Sequence, residues 1–355
     1  MKFTSPHLFP ILFSLSACGA SSESVSVPYG EGASMRYAGS VIVNDEGVYR
    51  STGSWKFWYP DGTLQARGKF EGGAVPGPEQ LLNTHTEIPT HGREGTWEGF
   101  VPGMGRQWKG QYREGKREGL FTFWFANGQM RLQASFKDDL EEGEFRSYFE
   151  NGDLAATGAY DKGRRSGHHA IYGTAGQLLE EGDWDIGQRV GLHRIWDDFG
   201  ILREEGVYRA GHLAGLRTIW DEGGNTLMTG TYYAGKPNGQ FTLYYPTGKK
   251  KSLGVYKDGA REGVHVGWSY AGDKIYEVMF ENGEPNGVMT TLYAGGEKRA
   301  TQGELQGGLP VGTHAVWSDS GKVVAKARYH GTQKGKGGAW QFWKAKPQTS
   351  AKSPR

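Results

Sequence analysis

Residues 143–166 read GEFRSYFENGDLAATGAYDKGRRS, and the frame of this stretch repeats through most of the chain. It leads from a glycine through a short strand to Tyr148, turns at Asn151-Gly152, returns through Gly158-Ala159-Tyr160 and turns again at Gly163. Gly95, Gly119, Gly143, Gly167, Gly191, Gly215, Gly239, Gly263 and Gly287 follow at intervals of 24 residues, and Gly312 and Gly338 continue the series after small insertions. A fixed period of this length marks a repeat protein in which each unit is one supersecondary element. Two short strands and two glycine turns make that element a β-hairpin. Asn127-Gly128 and Asn151-Gly152 suit tight turns whose central residues need positive φ, and the glycines at 115, 163, 187, 211, 235, 259 and 283 mark the other connection.

Two ring columns run through the array. Five residues after the starting glycines stand Trp124, Tyr148, Tyr172, Trp196, Trp220, Tyr244, Trp268 and Trp317, with Phe100, Leu292 and Trp343 in the same register. Twelve residues further on come Tyr112, Phe136, Tyr160, Trp184, Tyr208, Tyr232, Tyr256 and Phe280. Two positions before the second column sits a small residue, as at Ala134, Gly158, Gly182, Gly206, Gly230 and Gly254. Residues two apart share a strand face, so this column leaves space for rings from a neighbouring strand. The pattern predicts an all-β fold: an elongated single-layer antiparallel β-meander of about eleven 24-residue hairpin repeats. At ~4.8 Å per strand such a body is on the order of 100 Å long.

Composition agrees. The 355 residues include 58 Gly, 12 Trp, 18 Tyr and 16 Phe, which suits frequent turns and ring-rich strands. Lys and Arg number 41 against 39 Asp and Glu, for a formal net charge of +2. With the signs mixed along the chain, no broad field attracts nucleic acid. The run Lys249-Lys250-Lys251 follows a turn and reads as a solvated strand start.

Outside the repeat the chain is expected to divide further. Lys2, the apolar stretch Leu8–Leu15 and Leu15-Ser16-Ala17-Cys18 resemble a bacterial lipoprotein signal over residues 1–17. The only cysteine, Cys18, then becomes the lipidated first residue, anchoring the protein to a membrane without a spanning segment. Residues 18–34 read as a flexible tether, 35–73 as degenerate repeats, 74–94 as a Pro-rich insertion loop, 95–344 as the regular array and 345–355 as a disordered basic tail. One cysteine excludes internal disulfides.

The units resemble the bacterial MORN-repeat variant family. Trp124-Phe125-Ala126-Asn127-Gly128 with Phe136, Tyr148 to Gly152 with Gly158-Ala159-Tyr160, and Tyr244-Tyr245 with Gly254-Val255-Tyr256 carry the likeness. The resemblance implies a protein-interaction surface, and many such proteins bear a YwqK-type antitoxin label. An exported lipoprotein would not meet a cytoplasmic toxin.

Candidate chemistry is sparse. His169, His193, His265 and His314 fall two residues after starting glycines. Equivalent positions in successive repeats lie ~10 Å apart, too far to share a zinc with ligands ~2 Å from the ion. They read as polar, exposed strand positions. His85, Glu87 and His91 lack a ligand frame, and Glu180-Glu181 and Glu204-Glu205 read as solvated carboxylates. The expectation is a non-enzymatic lipoprotein of the bacterial envelope, with no metal and no cofactor. Gly19 after the cysteine is compatible with outer-membrane sorting. Its sheet would bind or scaffold a protein or an envelope polymer, with the first ring column, Trp124 to Trp317, as candidate surface. The alternative is a module binding cell-wall glycans through the same rings; a hydrolase is more distant.

Overall fold

A nine-residue strand, Gln188–Trp196, and an eight-residue strand, Leu202–Arg209, form the hairpin of one regular repeat. The same pair of lengths recurs at Lys116–Trp124 with Met130–Lys137 and at Ala260–Trp268 with Lys274–Glu281. The computed structural model describes residues 22–29, 35–43, 49–74 and 88–330. Cys18, the residues before it, 75–87, Gly338, Trp343 and the 345–355 tail lie outside the described residues. The chain divides into two units, one of residues 1–178 with 184–187, the other of 179–183 with 188–355. Each is an antiparallel meander in which a strand pairs with its neighbours in sequence, as in 119–136 of the first unit and 191–219 of the second. The described residues contain no helix.

The two turns divide the glycine work differently from the expected scheme. At Asn127-Gly128 only the glycine has positive φ, 84°. The Gly128 N–H donates to the Phe125 carbonyl at 3.0 Å, and the Gln129 N–H to Asn127 Oδ1 at 2.9 Å. Asn127 therefore acts as an Asx-turn acceptor in a right-handed conformation, and one glycine suffices. The two-residue turns with both φ values positive are at the other connection, for example Lys162 at 49° and Gly163 at 74°. There Ile186 also holds φ 49°, costly for a β-branched residue.

Across most hairpins the starting glycine faces a second-column ring, and the residue two later faces the small column. Gly119 stands opposite Phe136, and Phe121 opposite Ala134; Gly191 stands opposite Tyr208, and His193 opposite Gly206. A Cβ on Gly119 would meet nothing, so that glycine serves its φ of 73°. Gly182 has no positive φ but lies under the ring of His193, and a Cβ there would overlap it. The small column does leave room for rings of a neighbouring strand. Gly110 lies under Phe121, Gly158 under His169, Gly230 under Phe241, Gly254 under His265 and Gly303 under His314.

These rings form the core. Phe121 stands edge-on to Tyr112 and Phe136, with centroids 5.4 and 5.1 Å away. Phe241 lies between Tyr232 and Tyr256 at 5.2 and 4.8 Å, and His265 between Tyr256 and Phe280 at 5.4 and 4.8 Å. Such edge contacts add roughly 0.5–1.5 kcal/mol each beyond area burial. A zipper of alternating slot residue and second-column ring thus supplies what a single-layer sheet lacks, a packed interior on one face.

The first unit corrects two expectations. Ser22–Pro28, read as tether, is a strand paired with Met35–Val43. Val25 and Val27, two apart, bury one face of it in a cluster with Tyr37, Trp55, Phe57 and Trp97. The insertion read as reaching residue 94 gives way to a strand at Arg93–Val101, and residues 88–92 lead into it against the sheet.

Candidate functional site

The first-column residues Trp124, Tyr148, Tyr172, Trp196, Trp220, Tyr244, Trp268 and Trp317 are all half-buried at the last position of their strands. None belongs to the ring zipper. Arg106 lies over Trp124, 4.4 Å from its ring centre. The carbonyls of Trp268 and Trp317 accept hydrogen bonds from Tyr245 and Tyr293 of the preceding turns at 2.9 and 2.7 Å. This column sits where successive turns are tied together.

The zipper slot two residues after each starting glycine holds residues of very different chemistry: Trp97, Phe121, Phe145, His169, His193, Arg217, Phe241, His265, Met289 and His314. Its histidines are buried rather than exposed, His193 at 3% and His314 at 2% exposure. Each Nε2 lies 2.8–2.9 Å from a main-chain carbonyl, of Ala159, Asp183, Val255 and Glu304 in turn. A carbonyl only accepts, so Nε2 carries the proton and the imidazole is neutral or doubly protonated. Trp97 Nε1 donates to the corresponding carbonyl, of Lys69, at 3.0 Å. Burial lowers the pKa of His169, His193 and His265, which favours the neutral ring. Arg217 fills its slot by a different route, reaching Glu204 through Nε and Nη2 at 2.9 and 3.0 Å.

An arginine column, two residues before the starting glycines, passes unnoticed in the sequence. Arg117, Arg165, Arg189 and Arg261 lie 4.0, 4.7, 5.5 and 5.1 Å from the ring centres of Phe136, Trp184, Tyr208 and Phe280. These cation–π contacts cap the second-column rings at the edge of the zipper.

The acidic pairs have partners. Glu180 meets Arg189 at 2.7 Å, Arg194 bridges Glu181 and Glu205 at 3.2 and 2.8 Å, and Glu204 holds Arg217. Glu204 and Glu205 face opposite sides of the sheet, as successive strand residues must. A general acid beside a general base is therefore not assembled from them. Among the described residues no three His, Cys, Asp or Glu groups stand close enough to hold a metal.

A concave feature lies in the second unit, on the zipper face. A groove of about 540 Å³ opens over Phe241, Tyr256, His265, Tyr276, Phe280 and Met289, within the ~300–1,000 Å³ range of small-ligand sites. Ser252, Thr291 and Arg261 add polar groups. Burial raises the Tyr276 pKa, keeping its hydroxyl protonated as a donor.

Residues 51–71, 117–138, 141–162 and 237–258 match the MORN repeat variant family. These four segments carry the MORN repeat pattern. The matched segments place the hairpin described above on MORN units in both halves of the sequence, with Phe121, Phe145 and Phe241 in the zipper slot. No curated relative matches the chain. Among solved structures it is similar to the TcdB2-TccC3-Cdc42 crystal structure, at 9% identity and a TM-score of 0.16 over 88% of this chain and 23% of that one. The TcdB2-TccC3-TEV structure gives 11% identity and a TM-score of 0.15 over 88% of this chain and 21% of that one.

Proposed function

We propose that this protein is a lipid-anchored component of the bacterial envelope whose MORN sheet is a non-catalytic binding surface. The open aromatic groove of the second unit carries the binding part of this reading: rings and a few polar groups converge there, while Glu204 and Glu205 are held in ion pairs. Anchoring rests on the Leu15-Ser16-Ala17-Cys18 pattern, and outer-membrane sorting on Gly19. An antitoxin-like name would describe the repeats and not a cytoplasmic role. Cys18→Ser is expected to abolish acylation and release the protein from membranes. An unmodified Cys18 in the intact mass of the native protein would refute the anchor.

A glycan is the second reading, favoured by Tyr256 and Tyr276 beside the hydroxyls of Ser252 and Thr291, a combination suited to stacking on and hydrogen-bonding sugars. Titration with soluble cell-wall oligosaccharides separates the two, since saturable binding lost on Tyr276→Ala would favour the glycan.

A further inference from the structure

Arg93 and Arg261 hold the same place in two repeats, two residues before Gly95 and Gly263. The same elements surround each. Phe70 and Tyr256 face them across the strand pair, Trp97 and His265 fill the slot, and Tyr112 and Phe280 stand edge-on to that slot at 6.4 and 4.8 Å. Trp108 lies over Gly99 as Tyr276 lies over Gly267, each ring so close that a Cβ on the glycine would overlap it. No other repeat between residues 95 and 330 pairs a glycine four positions after its start with a ring nine positions further on.

In the first unit the chain itself occupies this site. Ile88 packs against the cluster containing Phe70 and Trp97. The carbonyls of Ile88 and Pro89 accept hydrogen bonds from Arg93 Nη2 and Nε at 3.0 and 2.9 Å. Thr90 and Gly92 lie so near Gly115 that a Cβ there would come within 2.8 Å of the Thr90 carbonyl oxygen. Arg93 is left 6% exposed, its guanidinium 4.6 Å from the Trp97 ring centre and 5.1 Å from that of Tyr112. No carboxylate pairs with it among the described residues. Two main-chain carbonyls, the Tyr112 hydroxyl, which accepts from Nη1 at 3.2 Å, and a cage of rings are its surroundings, and they satisfy the guanidinium fork in place of an anion.

In the second unit the corresponding space is the open groove. Arg261 is exposed at its rim, with Nε 3.4 Å from the Tyr256 hydroxyl. We propose that this groove binds an extended peptide segment of a partner protein, with an aliphatic side chain over Tyr276 and the slot rings and two successive carbonyls accepting from Arg261, as Ile88-Pro89 do for Arg93. The proposal rests on the binding-surface reading and names its partner class. A proline after the aliphatic residue suits the site, because it holds the segment extended and brings no N–H needing an acceptor.

The segment that fills the first site supplies the probe. A fluorescent peptide of sequence Ile-Pro-Thr-His-Gly, residues 88–92, is titrated into the full chain and followed by anisotropy. Weak, saturable one-to-one binding is expected, since a free peptide lacks the high effective concentration of the tethered segment. Arg261→Gln should weaken it at least ~10-fold through loss of charge-assisted hydrogen bonds. Leu243→Glu, on a half-exposed groove position, should do so without disturbing the zipper, and serves if Arg261→Gln lowers the melting temperature. A peptide with Asp in place of isoleucine should not bind. Absence of saturable binding up to ~1 mM peptide, an affinity unchanged by both substitutions, or displacement by cell-wall oligosaccharide at lower concentration would overturn the proposal. An independently identified partner whose binding survives both substitutions would overturn the groove and leave the binding-surface reading standing. Failure of Cys18 acylation would touch only the anchor.

Discussion

The zipper slots of the two units hold different chemistry in one geometry. In the first, the regular repeats use Trp97, Phe121, Phe145 and His169; in the second, His193, Arg217, Phe241, His265, Met289 and His314 take the same positions. What the slot requires is a side chain that lies over the small residue beneath it and closes against the second-column rings. Imidazole does this once its N–H has a carbonyl; Arg217 turns to Glu204 instead, and Leu213 is the side chain nearest to Gly206. The price of the substitution falls on titration: a ladder of Trp and Phe is indifferent to pH, whereas one of histidines is not.

Truncating the most buried slot should have the largest effect. Trp97→Ala, at 0% exposure, is expected to destabilise the first unit by ~3–5 kcal/mol in denaturant unfolding. Met289→Ala in the second unit should cost less, its side chain being half-exposed at the groove. Equal losses would mean that the slots are not graded by burial. Gly182→Ala comes next. Its methyl would enter the space of the His193 ring, and overpacking of that kind costs roughly 1–3 kcal/mol. Gly119→Ala tests the other glycine class, because there the cost arises from φ 73° and not from contact.

Acid sharpens the comparison further. Burial pulls the His193 and His265 pKa values down, with Arg189 and Arg261 acting in the same direction and Glu180 and Asp183 opposing at His193. The unfolded chain then takes up protons before the folded one as pH falls through the unfolded value of ~6.5, so stability decreases below that pH. Melting of the His193→Phe, His265→Phe double variant should show a shallower loss between pH 7 and pH 5 than the parent. An unchanged slope would place the acid sensitivity elsewhere. The smallest expected effect is a gain: Ile186→Gly at φ 49° should relieve ~1 kcal/mol of backbone strain, visible as a raised melting temperature.

Much of the fold was legible because glycine spacing and ring columns recur without regard to what a particular repeat does. The second ring column and the room left above Gly158, Gly182 and Gly254 follow from strand alternation alone. The slot column escaped because its identity changes from Trp to Phe, His, Arg and Met, so no single residue type marks it. His169, His193, His265 and His314 were visible at 24- or 25-residue multiples from one another's frame, yet polarity argued for exposure, and burial became evident only with the carbonyl each ring reaches. The alternation Ser24-Val25-Ser26-Val27 did signal a strand, hidden by the small polar residues around it. The groove was not readable at all, since it depends on which rings are left uncovered, and only the folded chain shows residues 88–92 covering one such site.

The central claim is that slot residues and second-column rings hold the sheet together, with the strand-end column contributing less to its stability. Phe121 and Trp124 lie three residues apart on one strand, the first 1% exposed and in the zipper, the second half-buried at the strand end. Urea unfolding of Phe121→Ala and Trp124→Ala tests it directly. The account predicts a loss of ~3–5 kcal/mol for Phe121→Ala and less than half of that for Trp124→Ala; an equal or larger loss at Trp124 would contradict it.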